Sequence, residues 1–293
     1  MQIQKLLILI VTFSLTKIAA AAPAVHIKWL GGPTMQITFN GTTLITDPMF
    51  GEGEQAFIMG DPNEVFDLNK GPNIKHHARI TPLPKYDLNH THYVLLSHAH
   101  EDHFDQKAQQ ILDKNLKTIL PIADKEKVSQ LGFQQLTPLQ AGQSLELKAG
   151  KGKILITAIP ADHSTNMSLT PLLGEGLGYV LTFTLGNWQQ SMYWTGDSMP
   201  TDRVINAVKQ LGQMDVLIPN MGAVGTTGPL GQISMGADDV IKLAKTLKIE
   251  KVLPIHHSTF KLYLEPITKL QQASKAQPIQ LLLLNEGETL SFK

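Results

Sequence analysis

Ser97 to Asp105 reads SHAHEDHFD, three of the chain's 11 histidines and three acids within nine positions, and it begins where the apolar run YVLL (Tyr93–Leu96) stops. A short continuous apolar run fits a buried strand. His98, His100, Asp102 and His103 therefore sit in a loop with a rigid support behind it. Imidazole nitrogens and carboxylate oxygens suit zinc and similar divalent ions. Four such groups in six residues exceed what one tetrahedral ion collects from so tight a turn. Two adjacent ions fit better, with His98 and His100 on one and Asp102 and His103 on the other. A solvated polar turn would have the same composition, but it would need no partners elsewhere.

Partners are available downstream, each at the end of a predicted strand. His163 follows ILITAIPAD, Asp197 follows MYWTG, and His256 follows KVLPI. Strand ends on one edge of a sheet face a common crevice, so recurrence at that position argues against chance. Around these points the chain has a regular grammar. HIKWLGGPTMQITFNGTTLITDP reads as strands with a tight turn at Asn40-Gly41. KTILP, GKILITAIPA, GYVLTFTL, SMYWTG, DVLIP and IQLLLL add further strands, and helices are expected near 106–114, 202–211, 237–247 and 265–273. The stretch from Met49 to about Leu88 has no period and is expected to be connecting structure. Two β-rich layers with helices outside account for this order.

Composition narrows the classes. With 42% hydrophobic and 17% charged residues in 293, the chain is an ordinary globular one. Acids and bases balance at 25 each, so no nucleic-acid footprint is present. There is no cysteine, which removes disulfides, lipoprotein attachment and thiolate ligands. The first 22 residues carry Lys5, an apolar stretch from Leu6 to Leu15 and a run of alanines before Pro23. That pattern predicts a signal peptide cleaved near Ala20–Ala22, a stretch too short for a stable transmembrane anchor. Residues 23–293 are then one domain in a secreted or periplasmic protein. Without Lys5 and Lys17 it has 23 basic against 25 acidic residues, a formal charge of −2.

WLGGPTMQI, LITDPMF, RITPLP, LLSHAHEDHFD, IPADHS, YWTGDS, IPNMGA and LPIHHSTF occur in that order between Trp29 and Phe260. In these pieces the chain resembles the metallo-β-lactamase superfamily, in the branch that includes the ascorbate-phosphate lactonase and the N-acylphosphatidylethanolamine-hydrolysing phospholipase D. The resemblance implies an αββα sandwich. It implies His98, His100 and His163 as ligands of a first divalent metal and Asp102, His103 and His256 as those of a second. Asp197 would bridge them, and Asp47 would orient ligand histidines. Asp102 and Asp197 are thereby placed in the catalytic set. The metals are expected to be zinc, with manganese or iron as other occupants. Two such ions share a water whose pKa falls towards about 7, and the bridging hydroxide attacks the substrate.

The implied activity is hydrolysis of a small-molecule or lipid-like ester, with a phosphodiester (phospholipase-D-like) preferred to a lactone because IPNMGA and PIHHSTF look closest to the phospholipase branch. The alternative is an exported metal- or ligand-binding protein on the same fold without turnover. Two departures stand out. Glu101 lies where relatives often carry an aromatic or small polar residue, and QISMGADDV has no histidine where many relatives do. Between the adjacent His256 and His257, alternation along a strand assigns the metal to His256 and leaves His257 to line the pocket. His76, His77, His90 and His92 are expected to be solvated, Gly222–Gly231 to be a flexible loop, and Met199, Met214, Met221 and Met235 to be core.

Overall fold

The computed structural model describes residues 22–293; the predicted leader, apart from Ala22, lies outside the described residues. Alternation in β1 (Val25–Gly31) puts Val25, Ile27 and Trp29 into one buried cluster and turns His26 and Lys28 away from it. β1 pairs antiparallel with β2 (Thr34–Phe39), and β2 with β3 (Thr42–Thr46). Asn40 and Gly41 between them have φ of 46° and 85°, so the expected tight hairpin forms with both central residues left-handed.

The stretch after Met49 is more than a connection. It contains a hairpin of β4 (Phe57–Gly60) and β5 (Ile74–His77). Four-residue strands such as FIMG and IKHH are too short to declare a period. His77 is a correction to the solvated reading: it is buried and stacks on Phe57 at 4.8 Å. His76, His90 and His92 are exposed as expected.

The chain continues through β6 (Tyr93–Leu95), α1 (Gln106–Ile111), β7 (Lys117–Pro121), α2 (Lys125–Gln130) and β8 (Leu136–Leu139), with β3, β6, β7 and β8 parallel. A second run then forms β9 (Ser144–Ala149), β10 (Gly152–Ala161), α3 (Thr170–Leu173), β11 (Gly176–Leu185) and β12 (Trp188–Trp194). It goes on through α4 (Asp202–Lys209), β13 (Val216–Ile218), α5 (Ala237–Leu247), β14 (Lys251–Val252), α6 (Ile267–Ser274) and β15 (Gln280–Leu281). The last strand, β16 (Thr289–Phe292), returns to pair with β1. Among the described residues this gives two seven-stranded sheets, β16-β1-β2-β3-β6-β7-β8 and β15-β14-β13-β12-β11-β10-β9.

Period-two patterning decides how they pack. Leu177, Tyr179, Leu181 and Phe183 of β11 and Met192 and Trp194 of β12 face Ile37, Phe39 and Leu44 of the other sheet in one cluster. Their alternates Val180 and Tyr193 face outward against Val204, Ile205 and Val208 of α4 and Val240 and Leu243 of α5. Phe104, Ala108 and Val128 cover the far side of the first sheet. Burial of a side chain such as Phe183 contributes about 1.5–3 kcal/mol. The result is the expected αββα sandwich. Met199, Met214, Met221 and Met235 are buried in the second helical layer, as core. No helix of the described residues is long and apolar enough to cross a membrane.

Two expected strands are shorter than their apolar runs. IQLLLL pairs only over Gln280–Leu281 before the chain turns back, with Asn285 N–H donating to Glu288. KVLPIH is a regular strand only over Lys251–Val252; beyond Pro254, which has no N–H, Ile255 adds one parallel bridge to Asn220 before His256 turns to φ 61°.

Candidate metal centre

Strand direction brings the polar segments together. β3 and β6 are parallel, as are β12, β13 and β14, and β10 runs with β12 because both are antiparallel to β11. Asp47 follows β3, Ser97 to His103 follow β6, His163 follows β10, Asp197 follows β12 and His256 follows β14. The HAHEDH segment closes as one helical turn, in which the N–H groups of His103 and Phe104 donate to the His100 carbonyl at 3.0 and 2.8 Å. Asp105 then caps α1, accepting from Ala108 N at 2.7 Å, and its other oxygen accepts from Phe50 N and Gly51 N. Burial pushes the Asp105 carboxyl up to about 6 against those three donors.

Two donor groups result. His98, His100 and His163 form one, and Asp102, His103, Asp197 and His256 the other; within each, one ligand atom per residue lies within 4.8 Å of the rest. Asp47, His98 and His103 meet the same criterion. All are buried except His100, which is half-buried. The seven residues named from the sequence as ligands are therefore all brought to one place, with Asp47 behind them.

Asp47 fixes the histidines. Its carboxylate accepts from Ser97 N at 2.7 Å and Ser97 Oγ at 2.5 Å, and it lies 2.7 Å from His103 Nδ1. With Nδ1 turned to Asp47, the Nε2 of His103 faces Asp197 Oδ2, 3.2 Å away. Ser97 Oγ, committed as donor to Asp47, accepts from His98 Nδ1 at 3.0 Å. His256 Nδ1 donates to the Met221 carbonyl at 2.6 Å. The outer nitrogens of His98 and His256 and both ring nitrogens of His163 are buried without a hydrogen-bond partner among the described residues, as is Asp102 Oδ1. Burying polar atoms this way costs about 1–3 kcal/mol each, so a cluster of them is the mark of a site built for cations.

Burial pushes the His98 imidazole well below its ordinary range, with the neighbouring histidines adding to the effect, and it brings His100 and His163 down to about 4. These rings are neutral at pH 7, the state that donates to a metal. Burial acts to lower His103 too, but the carboxylates of Asp197, Asp102 and Asp47 overcome it and raise the ring. For Asp197 burial is again opposed, and the histidines, His256 and His103 first, hold the carboxyl well below the usual range. Asp47 is raised by burial, with His103 and Ser97 acting against it. The donor set is thus chemically and sterically fitted to divalent cations.

Several supporting residues escaped sequence reading. Asn220, after β13, donates to Asp197 Oδ1 at 3.0 Å while its own oxygen accepts from Trp194 Nε1 at 3.0 Å. A buried asparagine directly after an apolar strand is the signal that could have found it. Gly196 takes φ 55°, and a Cβ there would meet Ser97 Cβ at 2.8 Å, so the turn that delivers Asp197 needs glycine. Asp124 Oδ2 accepts from Ala99 N at 2.9 Å, and Lys127 Nζ donates to the Ala99 carbonyl and to Glu101. The peptide between His98 and His100 is therefore clamped at both ends. Arg79 is buried against Glu286, which also accepts from Thr259 Oγ1 at 2.6 Å; Thr259 in turn accepts from Gly32 N. That staple holds the turn carrying His256.

Three sequence readings need correction. His256 and His257 do not separate by strand alternation, since neither lies on a strand; the left-handed backbone at His256 aims it at Asp197. His257 does not line the metal pocket. It packs against Trp29 at 4.9 Å, facing a separate cavity of about 570 Å³ beside Pro82 and Leu284. The loop Gly222–Gly231 is also pinned rather than free, with Gly225 N donating to Asn63 Oδ1 and Thr227 Oγ1 to the Asn63 carbonyl.

Known proteins match this frame. The chain is 23% identical over 266 residues to N-acyl-phosphatidylethanolamine-hydrolyzing phospholipase D 1 of Caenorhabditis elegans, covering 85% of this chain and 69% of the relative. It is 24% identical over 217 residues to a metal-dependent hydrolase of Nanoarchaeum equitans, covering 73% and 89%. Among solved structures, the isothiocyanate hydrolase from Delia radicum gut bacteria superposes with a TM-score of 0.74 at 24% identity, covering 91% of this chain and 98% of that one. A metallo hydrolase from Ignicoccus hospitalis gives 0.62 at 20% identity, covering 92% and 99%. The family model described as "Beta-lactamase superfamily domain" matches residues 43–257. That span holds every donor of both groups, and the chain belongs to the β-lactamase superfamily, with the metallo-β-lactamase fold.

Proposed function

We propose that this metal-dependent hydrolase of the β-lactamase superfamily holds two divalent ions, and that it cleaves an ester-type bond, in a phosphodiester or a lactone. His98, His100 and His163 would hold one ion and Asp102, His103 and His256 the other, with Asp197 shared. One observation carries this reading: buried, unpartnered imidazole nitrogens from three separate chain segments converge around two carboxylates. Zinc suits such donors best, and manganese or iron are the other occupants they accept. The names of the Caenorhabditis elegans and Nanoarchaeum equitans relatives support the hydrolase class.

Divalent ions, when bound, make water a nucleophile near neutral pH and offset charge on substrate oxygens. The chain does the rest. Asp47 keeps the proton of His103 on Nδ1, and the Met221 carbonyl does the same for His256. Asn220 holds one oxygen of Asp197 and so orients the other. Burial of the set keeps bulk water from competing. No serine or cysteine nucleophile is needed.

The test is direct. Full-length protein loaded with zinc or manganese is expected to bind two ions per chain and to hydrolyse bis(p-nitrophenyl) phosphate or a lactone, stopping on chelation. Two ions without turnover on any ester would favour a binding protein; no stoichiometric ion would overturn the reading. The leader supports export to the periplasm or medium, and N-terminal sequencing of the mature protein, expected to begin near Ala21–Pro23, checks it.

A further inference from the structure

In IPADHS an acid stands directly before the donor His163. Neither ring nitrogen of His163 has a hydrogen-bond partner among the described residues, so the backbone beside it has to place the ring. Asp162 fixes that backbone. Its N–H donates to Ser198 Oγ at 3.1 Å, and its carbonyl accepts from Met199 N at 2.7 Å. Asp162 precedes His163 and Ser198 follows Asp197, so the turn after β10 is laced to the turn after β12 immediately beside both donors. The Asp162 side chain locks the joint. Its Oδ2 accepts from Thr201 Oγ1 at 2.5 Å, and its Oδ1 accepts from Arg203 Nε at 3.0 Å and from Arg203 Nη2. Thr201 is also the N-cap of α4, accepting from Val204 N at 3.3 Å. The Asp162 side chain is 1% exposed and that of Arg203 is 56% exposed. A surface guanidinium thus reaches inward to a buried carboxylate, and two N–H groups of a rigid fork fix its orientation as well as its charge.

We propose that Asp162, held by Arg203 and Thr201, is the positioning residue of His163: a backbone tether that registers this ring against Asp197. The proposal rests on the two-ion reading above. His103 and His256 are oriented through their own Nδ1 atoms, whereas His163 is oriented through the residue before it. Asn220 holds Asp197 from the other side, so loss of the tether displaces His163 and leaves the shared carboxylate supported. The ion of the His98, His100 and His163 group then loses one well-placed donor, and the ion of the other group keeps all of its own. Were Asp162 only a brace for the start of α4, its loss would lower stability and leave both ions as they were.

The experiment measures stepwise zinc affinity by chelator competition on the full chain and on Asp162→Asn, Arg203→Gln and Arg203→Lys. Phe183→Leu serves as the control, a core change at the far end of the β10–β11 pair. Asp162→Asn and Arg203→Gln are expected to weaken the more loosely held ion about tenfold and to leave the other unchanged. Arg203→Lys should recover part of that loss, and Phe183→Leu should lower the urea midpoint with neither affinity altered. Unchanged affinities in Asp162→Asn, or an equal fall of both, overturn the proposal. Hydrogen exchange on the metal-free protein gives a readout that needs no ion. In Asp162→Asn the amides of positions 162 and 199 should both exchange faster, while those of His103 and Phe104, bonded to the His100 carbonyl, keep their rates. If the parent binds no zinc and positions 162 and 199 still open together in the variant, the metal reading fails and the tether stands. If those two amides keep their rates, the tether fails.

Discussion

The two donor groups are built to different standards. In the group of Asp102, His103, Asp197 and His256, three members are held from behind: His103 by Asp47, His256 by the Met221 carbonyl, and Asp197 by Asn220. In the group of His98, His100 and His163, only His98 has such a partner among the described residues, through Ser97 Oγ. Among the described residues no side-chain hydrogen bond fixes His163. Outer partners of this kind set ring orientation and basicity. The lesson is that adjacent sites made of the same residue types differ in preorganisation, and so in how firmly each holds an ion.

The largest expected effect comes from breaking the staple under the better-held group. Arg79→Met leaves Glu286 buried without its partner, and removing one member of such a pair costs about 3–5 kcal/mol. Denaturant unfolding of the metal-free protein should shift by that amount. Since Thr259 loses its anchor with Glu286, the ion on the His256 side should weaken while the His98 side is spared. Equal weakening of both would show that the groups are not independently supported.

Next in size is a pH effect at the clamp of the other group. Burial raises the Asp124 carboxyl to about 6, chiefly against the Ala99 N–H. A carboxyl with a raised folded pKa binds more protons folded than unfolded. Its stabilising contribution is therefore full below about 4 and is lost as pH rises through about 6. Asp124→Asn keeps an acceptor for Ala99 and cannot ionise. Its stability relative to the parent should rise from pH 4 to pH 7, by up to about 3 kcal/mol, measured by urea midpoints at each pH. A constant difference would remove Asp124 from the pH dependence.

Asp47→Asn sharpens the contrast itself. An amide that presents its oxygen to the Ser97 N–H no longer matches His103 Nδ1 as a carboxylate does, and loss of such a partner costs about 10–100-fold in metal affinity. Competition with a chromogenic chelator should show the larger loss on the His103 side, which Asp47 contacts directly, and a smaller one on the His98 side, which it reaches through Ser97; equal losses would contradict it. The smallest effect is in the parent protein. Its two ions should leave in separate steps, about tenfold apart in chelator concentration. His163→Ala should abolish the step that occurs first.

Legibility from sequence varied with the range of the interaction. SHAHEDHFD, IPADHS, YWTGDS and LPIHHSTF each placed a donor after an apolar run, so the candidate donors and the two-layer order could be read locally. The hairpin of Phe57–Gly60 with Ile74–His77 could not, because four residues show no period and the pairing spans a long connection. Asn220 and Arg79 were missed for a related reason: their roles are defined by Asp197 and Glu286, 23 and 207 positions away.

By itself the sequence determined which residue types end the strands, because alternation, turn residues and ligand chemistry are local properties. Tertiary structure alone decided how those residues are used. It chose His256 over His257 through a left-handed backbone, set the Nδ1 protons of His103 and His256 through Asp47 and Met221, and laced the His163 turn to the Asp197 turn through Asp162. Each of those depends on atoms that meet only after distant segments have packed, and no pattern of neighbours along the chain encodes that meeting.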